Sequence, residues 1–254
     1  MKTLRLVAPA TAVALLLGGC FDIHQKIQLE KDLSGQATMT VTIDAEPFAA
    51  IMAGMKKQMS GGQGEPTAEE IEAVRKEMME KQKEENSEEK LAADRKRIED
   101  SLPEGVTLVD LQAKSEGLEV EMTITFAFDH VSKLSQIQVP KENAGPGEMD
   151  PLSNPFAQLR FADEGETFVL YYEPSNPAEE QEKQAEQMEG VGEAVENAMQ
   201  NMKYRFEIAA PFEVVEQNAT EVVEGTLVWT FGYEDLEKMK DSKESPAIQV
   251  RFKK

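Results

Sequence analysis

The sequence predicts an α+β protein: a curved, mainly antiparallel β-sheet with amphipathic and acidic helical insertions. Three observations predict it. Period-two segments recur in adjacent pairs joined by short turns, the pattern of hairpins rather than of βαβ units. Between two such pairs lies a long stretch with apolar residues at spacings of three and four, the helical period. The clearest strand places Leu118, Val120, Met122, Ile124, Phe126 and Phe128 on one face and Glu119, Glu121, Thr123 and Thr125 on the other. Such alternation marks a sheet with one wet face.

The chain opens with Met1, Lys2 and Arg5, followed by an almost uncharged run from Leu6 to Gly19 and then Cys20, the only cysteine. A basic start, a short apolar core and small residues before the cut form a secretion signal. Its fourteen-residue core is shorter than the roughly 20 residues a membrane-spanning helix needs. The order Leu17, Gly18, Gly19, Cys20 resembles the bacterial lipobox. That resemblance implies cleavage between Gly19 and Cys20, diacylglycerol on the Cys20 thiol and acylation of the new amine. Two or three acyl chains hold a protein to a membrane far more durably than one.

Residues 1–19 are therefore expected to be a signal peptide and 20–254 a single envelope-exposed domain. Cleavage removes 19 of 254 residues and leaves 235, within the range of one large domain. It removes Lys2 and Arg5 and no acid, so the formal charge moves from -21 to -23. Such a surface repels phosphate backbones, which argues against nucleic acid as a partner. It also repels anionic headgroups, so the lipid anchor must carry the attachment. With Cys20 acylated no disulfide can form, and packing alone must stabilise the fold.

Ile23, Ile27 and Leu29 share a strand register. The turn signal Asp32-Leu33-Ser34-Gly35 follows, and then Met39, Val41 and Ile43 alternate with threonines, which completes a hairpin. Phe48, Ile51, Met52, Met55 and Met59 predict a helix from Pro47, broken by Gly61-Gly62. Thr67 and Glu70 form a capping box for a second helix, and Asn86 with Glu89 suggests a cap for a third. Residues 65–100 hold thirteen acids and eight bases, so the insertion 47–101 reads first as a solvated set of helices. Val106, Leu108 and Leu111 offer a strand, and the alternating strand described above comes next. A short helix then carries Val131 and Leu134 inward.

Residues 139–157 are rich in Pro, Gly and Asn and form a long loop. Leu159-Phe161 and Phe168-Tyr172 flank a turn as a hairpin. Asn176 and Pro177 open another helix, along which Met188, Val191, Val195, Met199 and Met202 recur at helical spacing. Tyr204-Ile208, Phe212-Val215, Leu227-Phe231 and Ile248-Phe252 read as strands, and Asn218 to Glu221 as a turn.

Catalytic signatures are absent. His24 and His130 have no His or Cys neighbour at metal-ligand spacing. There is no Gly-x-Ser-x-Gly elbow, no phosphate-cradling glycine loop and no dinucleotide fingerprint. The 48 carboxylates are too many for any pair to stand out. The expectation is a non-enzymatic protein with no cofactor and no metal. Methionine adapts to varied apolar partners, so Met52, Met55, Met59, Met188, Met199 and Met202 are the candidate ligand-binding residues, against the plainer reading that both stripes are core.

Three places resemble the LppM-type family of bacterial lipoproteins. One is the lipobox followed directly by strand, glycine turn and strand (Ile23 to Ile43). Another is the strand ending Phe126-Ala127-Phe128-Asp129 with a short helix after it. The third is the run from Ala210-Pro211-Phe212-Glu213 to Asn218-Ala219, followed by Gly225-Thr226-Leu227-Val228-Trp229. The acidic helical segment departs from a compact version of that pattern. The resemblance implies an α+β domain facing the envelope and meeting lipid, and it carries no catalytic residues to transfer.

The expected function is a membrane-anchored lipoprotein whose non-catalytic domain binds an apolar ligand or an envelope protein. An envelope hydrolase using carboxylates and a structural or assembly partner are the alternatives. Phe21 rather than aspartate follows Cys20, which by enteric-type sorting points to the outer membrane if the host is Gram-negative.

Overall fold

The computed structural model describes residues 21–138, 156–172, 200–235, 238 and 248–254. The signal segment, Cys20, most of the 139–157 loop and the helix expected from Asn176 lie outside the described residues. The fold is α+β. Its elements are β1 (Phe21–Leu29), β2 (Gly35–Asp44), α1 (Glu46–Met59), α2 (Ala68–Glu85), α3 (Glu88–Ser101), β3 (Val106–Glu116), β4 (Glu119–Phe128), a 3₁₀ turn (Val131–Gln136), β5 (Leu159–Asp163), β6 (Thr167–Tyr172), β7 (Lys203–Ala209), β8 (Glu213–Gln217), β9 (Glu221–Val223), β10 (Thr226–Gly232) and β11 (Ile248–Lys253).

The strands form two sheets rather than one. A seven-stranded sheet runs β3-β4-β2-β1-β7-β10-β9, and a four-stranded sheet runs β5-β6-β11-β8. Among the described residues every pairing is antiparallel except β1 with β7. Alternating residues of the large sheet are buried: Ile27 and Leu29, Met39 and Val41, Ile124 and Phe126, Phe206 and Ile208, Leu227 and Trp229. Phe168 and Leu170 of β6 and Val250 and Phe252 of β11 join the same apolar cluster. Tyr172 of β6 stacks on Phe206 of β7 with ring centres 5.0 Å apart. The sequence expectation put amphipathic helices over the sheet. Here the second sheet takes that place, with Phe168, Leu170, Val250 and Phe252 packed into the shared cluster.

The helices pack at the margin. Ile98 of α3 reaches the main cluster. Ala49 and Ala53 of α1 and Val74 of α2 form a separate small cluster with Leu118 from the β3–β4 turn. The capping box at Thr67 is present, with both reciprocal hydrogen bonds. The third helix is capped by Ser87, whose hydroxyl accepts from the Lys90 amide, rather than by Asn86. Asn86 instead ends α2. Among the described residues no helix is long and apolar enough to cross a membrane.

One polar network lies inside the core. Tyr204 Oη donates to Gln25 Oε1 at 2.7 Å, and Gln25 Nε2 donates to Met39 Sδ at 3.5 Å. Burial raises the Tyr204 pKa well above its ordinary value, and the neighbouring Tyr172 adds to the rise. Burial also raises Tyr172, against the hydrogen bonds with Tyr204 and Gln25. A raised folded pKa means the folded state holds the proton longer than the unfolded chain does. The stability each phenol contributes is therefore complete below about pH 10. It declines above that by about 1.4 kcal/mol per pH unit for each group. Urea unfolding as a function of pH, with tyrosinate absorbance alongside, should show two of the four tyrosines ionising only as the chain unfolds. Free titration of all four in the folded state would contradict this.

Candidate functional site

The α1 helix is built so that one side packs and the other does not. Pro47 occupies its first turn, where a missing N–H costs nothing. The Asp44 carboxylate accepts the Glu46 amide at 2.9 Å and holds the entry to the helix. Ala49 and Ala53, one turn apart, are buried with Val74 and Leu118. Their small side chains let the α1 and α2 backbones approach. Ion pairs flank this seam: Glu46 with Arg75, Lys56 with Glu77, and Lys57 Nζ with Glu70 Oε2 at 3.1 Å. The Thr67 amide and Lys57 both hydrogen-bond the Glu70 carboxylate and hold its pKa below the usual range.

An open cleft of ≈ 350 Å³ lies between the two helices, lined by Ala53, Lys56, Lys57, Glu70, Val74 and Glu77. Its charged side chains are already engaged with one another, so it is poorly suited to an apolar guest.

The remaining face of α1 carries Phe48, Met52, Met55 and Met59, at spacings of four, three and four. These residues form one stripe along the helix. Met59 is 86% exposed and Met52 39%, while Phe48 and Met55 are half-buried. None of the four belongs to either apolar cluster. Of the other candidate residues, Met202 is buried in the main core. Met188 and Met199 lie outside the described residues. The structure thus brings Met52, Met55 and Met59 together on one surface and puts Met202 elsewhere.

The outer face of the large sheet is polar. Thr38 and Thr125 hydroxyls meet at 3.1 Å, and those of Thr40 and Thr123 at 3.0 Å. On the adjoining strands His24 Nε2 lies 3.2 Å from Glu207 Oε1. Arg205 Nε donates to that same oxygen at 2.7 Å and also pairs with Glu221. Burial on its own would raise the Glu207 carboxyl. The Arg205 hydrogen bond and the charges of His24, Arg205 and Lys26 outweigh it, so the pKa is lowered. The Glu207 carboxylate is thus held ionised and paired with Arg205. Among the described residues no group of three or more His, Cys, Asp or Glu side chains has the geometry to hold a metal ion. His130 caps the 3₁₀ turn, accepting the Ser132 amide at Nδ1, and meets the Phe161 ring edge-on at 5.0 Å.

A further exposed apolar feature escaped the sequence reading. Glu-Val-Val-Glu occurs twice, at 213–216 and 221–224, and each copy falls on an edge strand of a different sheet. Val214, Val215, Val222 and Val223 are all exposed. The repeat itself was the available signal. Flanking glutamates are a common guard against edge-to-edge association.

No family model matches the chain, and no curated protein matches it. Among solved structures, it is similar to the folded domain of LppM from Mycobacterium tuberculosis, determined by NMR. The TM-score is 0.41 and the identity 8%, over 93% of this chain and 91% of that one.

Proposed function

We propose that this chain is a membrane-anchored envelope lipoprotein whose domain is a non-catalytic binding module for an apolar ligand or an envelope protein. The observation that carries the proposal is the junction at Cys20. The run Leu17-Gly18-Gly19-Cys20 ends one residue before β1, which starts at Phe21. No linker intervenes. Acyl chains on Cys20 would hold the first strand of the large sheet against the bilayer. The Phe48–Met59 stripe supplies an apolar contact surface that the two described cores do not use. The formal charge of -23 after cleavage leaves attachment to the lipid rather than to a basic patch. Phe21 in place of aspartate directs the protein to the outer membrane of a host that has one.

The test is Cys20→Ser in the full chain. Palmitate incorporation should fall to background, and the protein should leave the membrane fraction. Unchanged labelling and fractionation would end the proposal.

A further inference from the structure

The exposed stripe on α1 lies beside a cleft occupied by ion pairs, and none of its four residues lines that cleft. An exposed apolar row of this kind suits a surface as its occupant. The position of α1 in the chain favours one surface in particular. Phe21 pairs with Ile43 across β1 and β2, and α1 begins at Glu46, three residues further on. Successive Cα atoms lie about 3.8 Å apart and paired strands about 5 Å apart, so the start of α1 is within roughly 20 Å of Cys20. The helix is itself only about 21 Å long at 1.5 Å per residue.

We infer that the Phe48–Met52–Met55–Met59 face of α1 lies on the bilayer that carries the Cys20 acyl chains, as a short interfacial helix. This rests on the lipoprotein reading above. The stripe has no charged member, and Lys56, the charged residue of α1 beside it, is paired with Glu77. A neutral apolar stripe on so acidic a chain suits a zwitterionic lipid surface, since anionic headgroups repel the remainder of the protein. A fourteen-residue helix with four apolar contacts would bind a membrane weakly by itself. Tethering at Cys20 makes the second contact effectively intramolecular, so weak contacts suffice. The anchor and the helix would together fix the orientation of the sheets above the membrane.

The chain's only cysteine is Cys20, so in the acylated protein a cysteine introduced elsewhere is the sole free thiol. Full-length acylated Met52→Cys, Met59→Cys and, as a control on an exposed turn, Thr220→Cys are labelled with an environment-sensitive fluorophore. They are then reconstituted in phosphatidylcholine vesicles. Labels at 52 and 59 should shift to the blue on reconstitution and lose about half their emission to headgroup-region spin-labelled lipid. The label at 220 should do neither. If the protein co-floats with vesicles while the label at 59 remains in water, the membrane contact is overturned and the anchor stands. A label at 59 already shielded before vesicles are added means that protein covers the stripe, which overturns it equally. A reactive thiol at Cys20 in the otherwise unaltered chain would instead count against the anchor itself.

Discussion

Replacing Trp229 by alanine should destabilise the protein by about 3–5 kcal/mol, the range for removing a large buried ring. Trp229 is 1% exposed and lies on the inner face of β10, edge-on to Phe206 at 6.1 Å. It also holds the two sheets together at one margin. Its Nε1 donates to Asn218 Oδ1 at 2.9 Å, and the same oxygen accepts the Gln249 amide of β11 at 2.8 Å. One side chain oxygen thus links a strand of the large sheet to a strand of the small one. Trp229→Phe keeps most of the packing and loses the hydrogen bond and part of the ring. Because Asn218 is exposed, water can replace the indole N–H, and the expected cost is about 1–2 kcal/mol. Trp229 is the only tryptophan, so urea unfolding of the variants is followed by far-ultraviolet circular dichroism. A loss below about 1 kcal/mol for the alanine variant would mean that the sheets do not close on this ring.

The strands of this fold were legible because their period was. The β1–β2 hairpin, the β4 alternation and the Thr67 capping box follow from neighbours in sequence, and each forms where the local pattern puts it. Partner choice was not legible. β1 pairs in parallel with β7, and Ile248 of β11 pairs with Tyr172 of β6, contacts joining residues far apart in the chain. Period two tells which face of a strand is buried, but not which strand lies beside it. The division into two sheets was therefore invisible.

The phase of β3 shows a subtler case. Val106 and Leu108 point inward with Phe128 and Phe126, and strict alternation would then bring in Asp110. The register shifts between Leu108 and Asp110, so Leu111 pairs with Ile124 and is buried while Val109 is exposed. The odd spacing of the apolar residues was the trace of this bulge. On α1, helical spacing found the methionines. It gave no account of which face would meet α2, because that seam is made by Ala49 and Ala53, residues too small to dominate a hydrophobic pattern.

Gly35 gives the second large effect. It opens β2, opposite Leu29 on one side and Phe128 on the other, at the tight end of the first hairpin. A Cβ added there would overlap the Gln28 carbonyl oxygen and come within 3.0 Å of Phe128 Cζ. The obstacle is mainly backbone, which cannot rotate away as a flexible side chain does. Gly35→Ala should therefore cost about 3 kcal/mol, the upper part of the range for overpacking. Gly117 is the comparison. Its φ of +63° is left-handed, yet nothing lies within 4 Å of an added Cβ. Gly117→Ala meets only the conformational cost, about 1–2 kcal/mol. The backbone angle at Gly35, φ +159°, is also one that L side chains rarely adopt, and it adds to the cost of the close approach. Gly35→Ala is therefore expected to be the more destabilising of the two. Denaturant midpoints of the two variants test this order, and a Gly117 variant less stable than the Gly35 variant would refute the packing of this hairpin against β4.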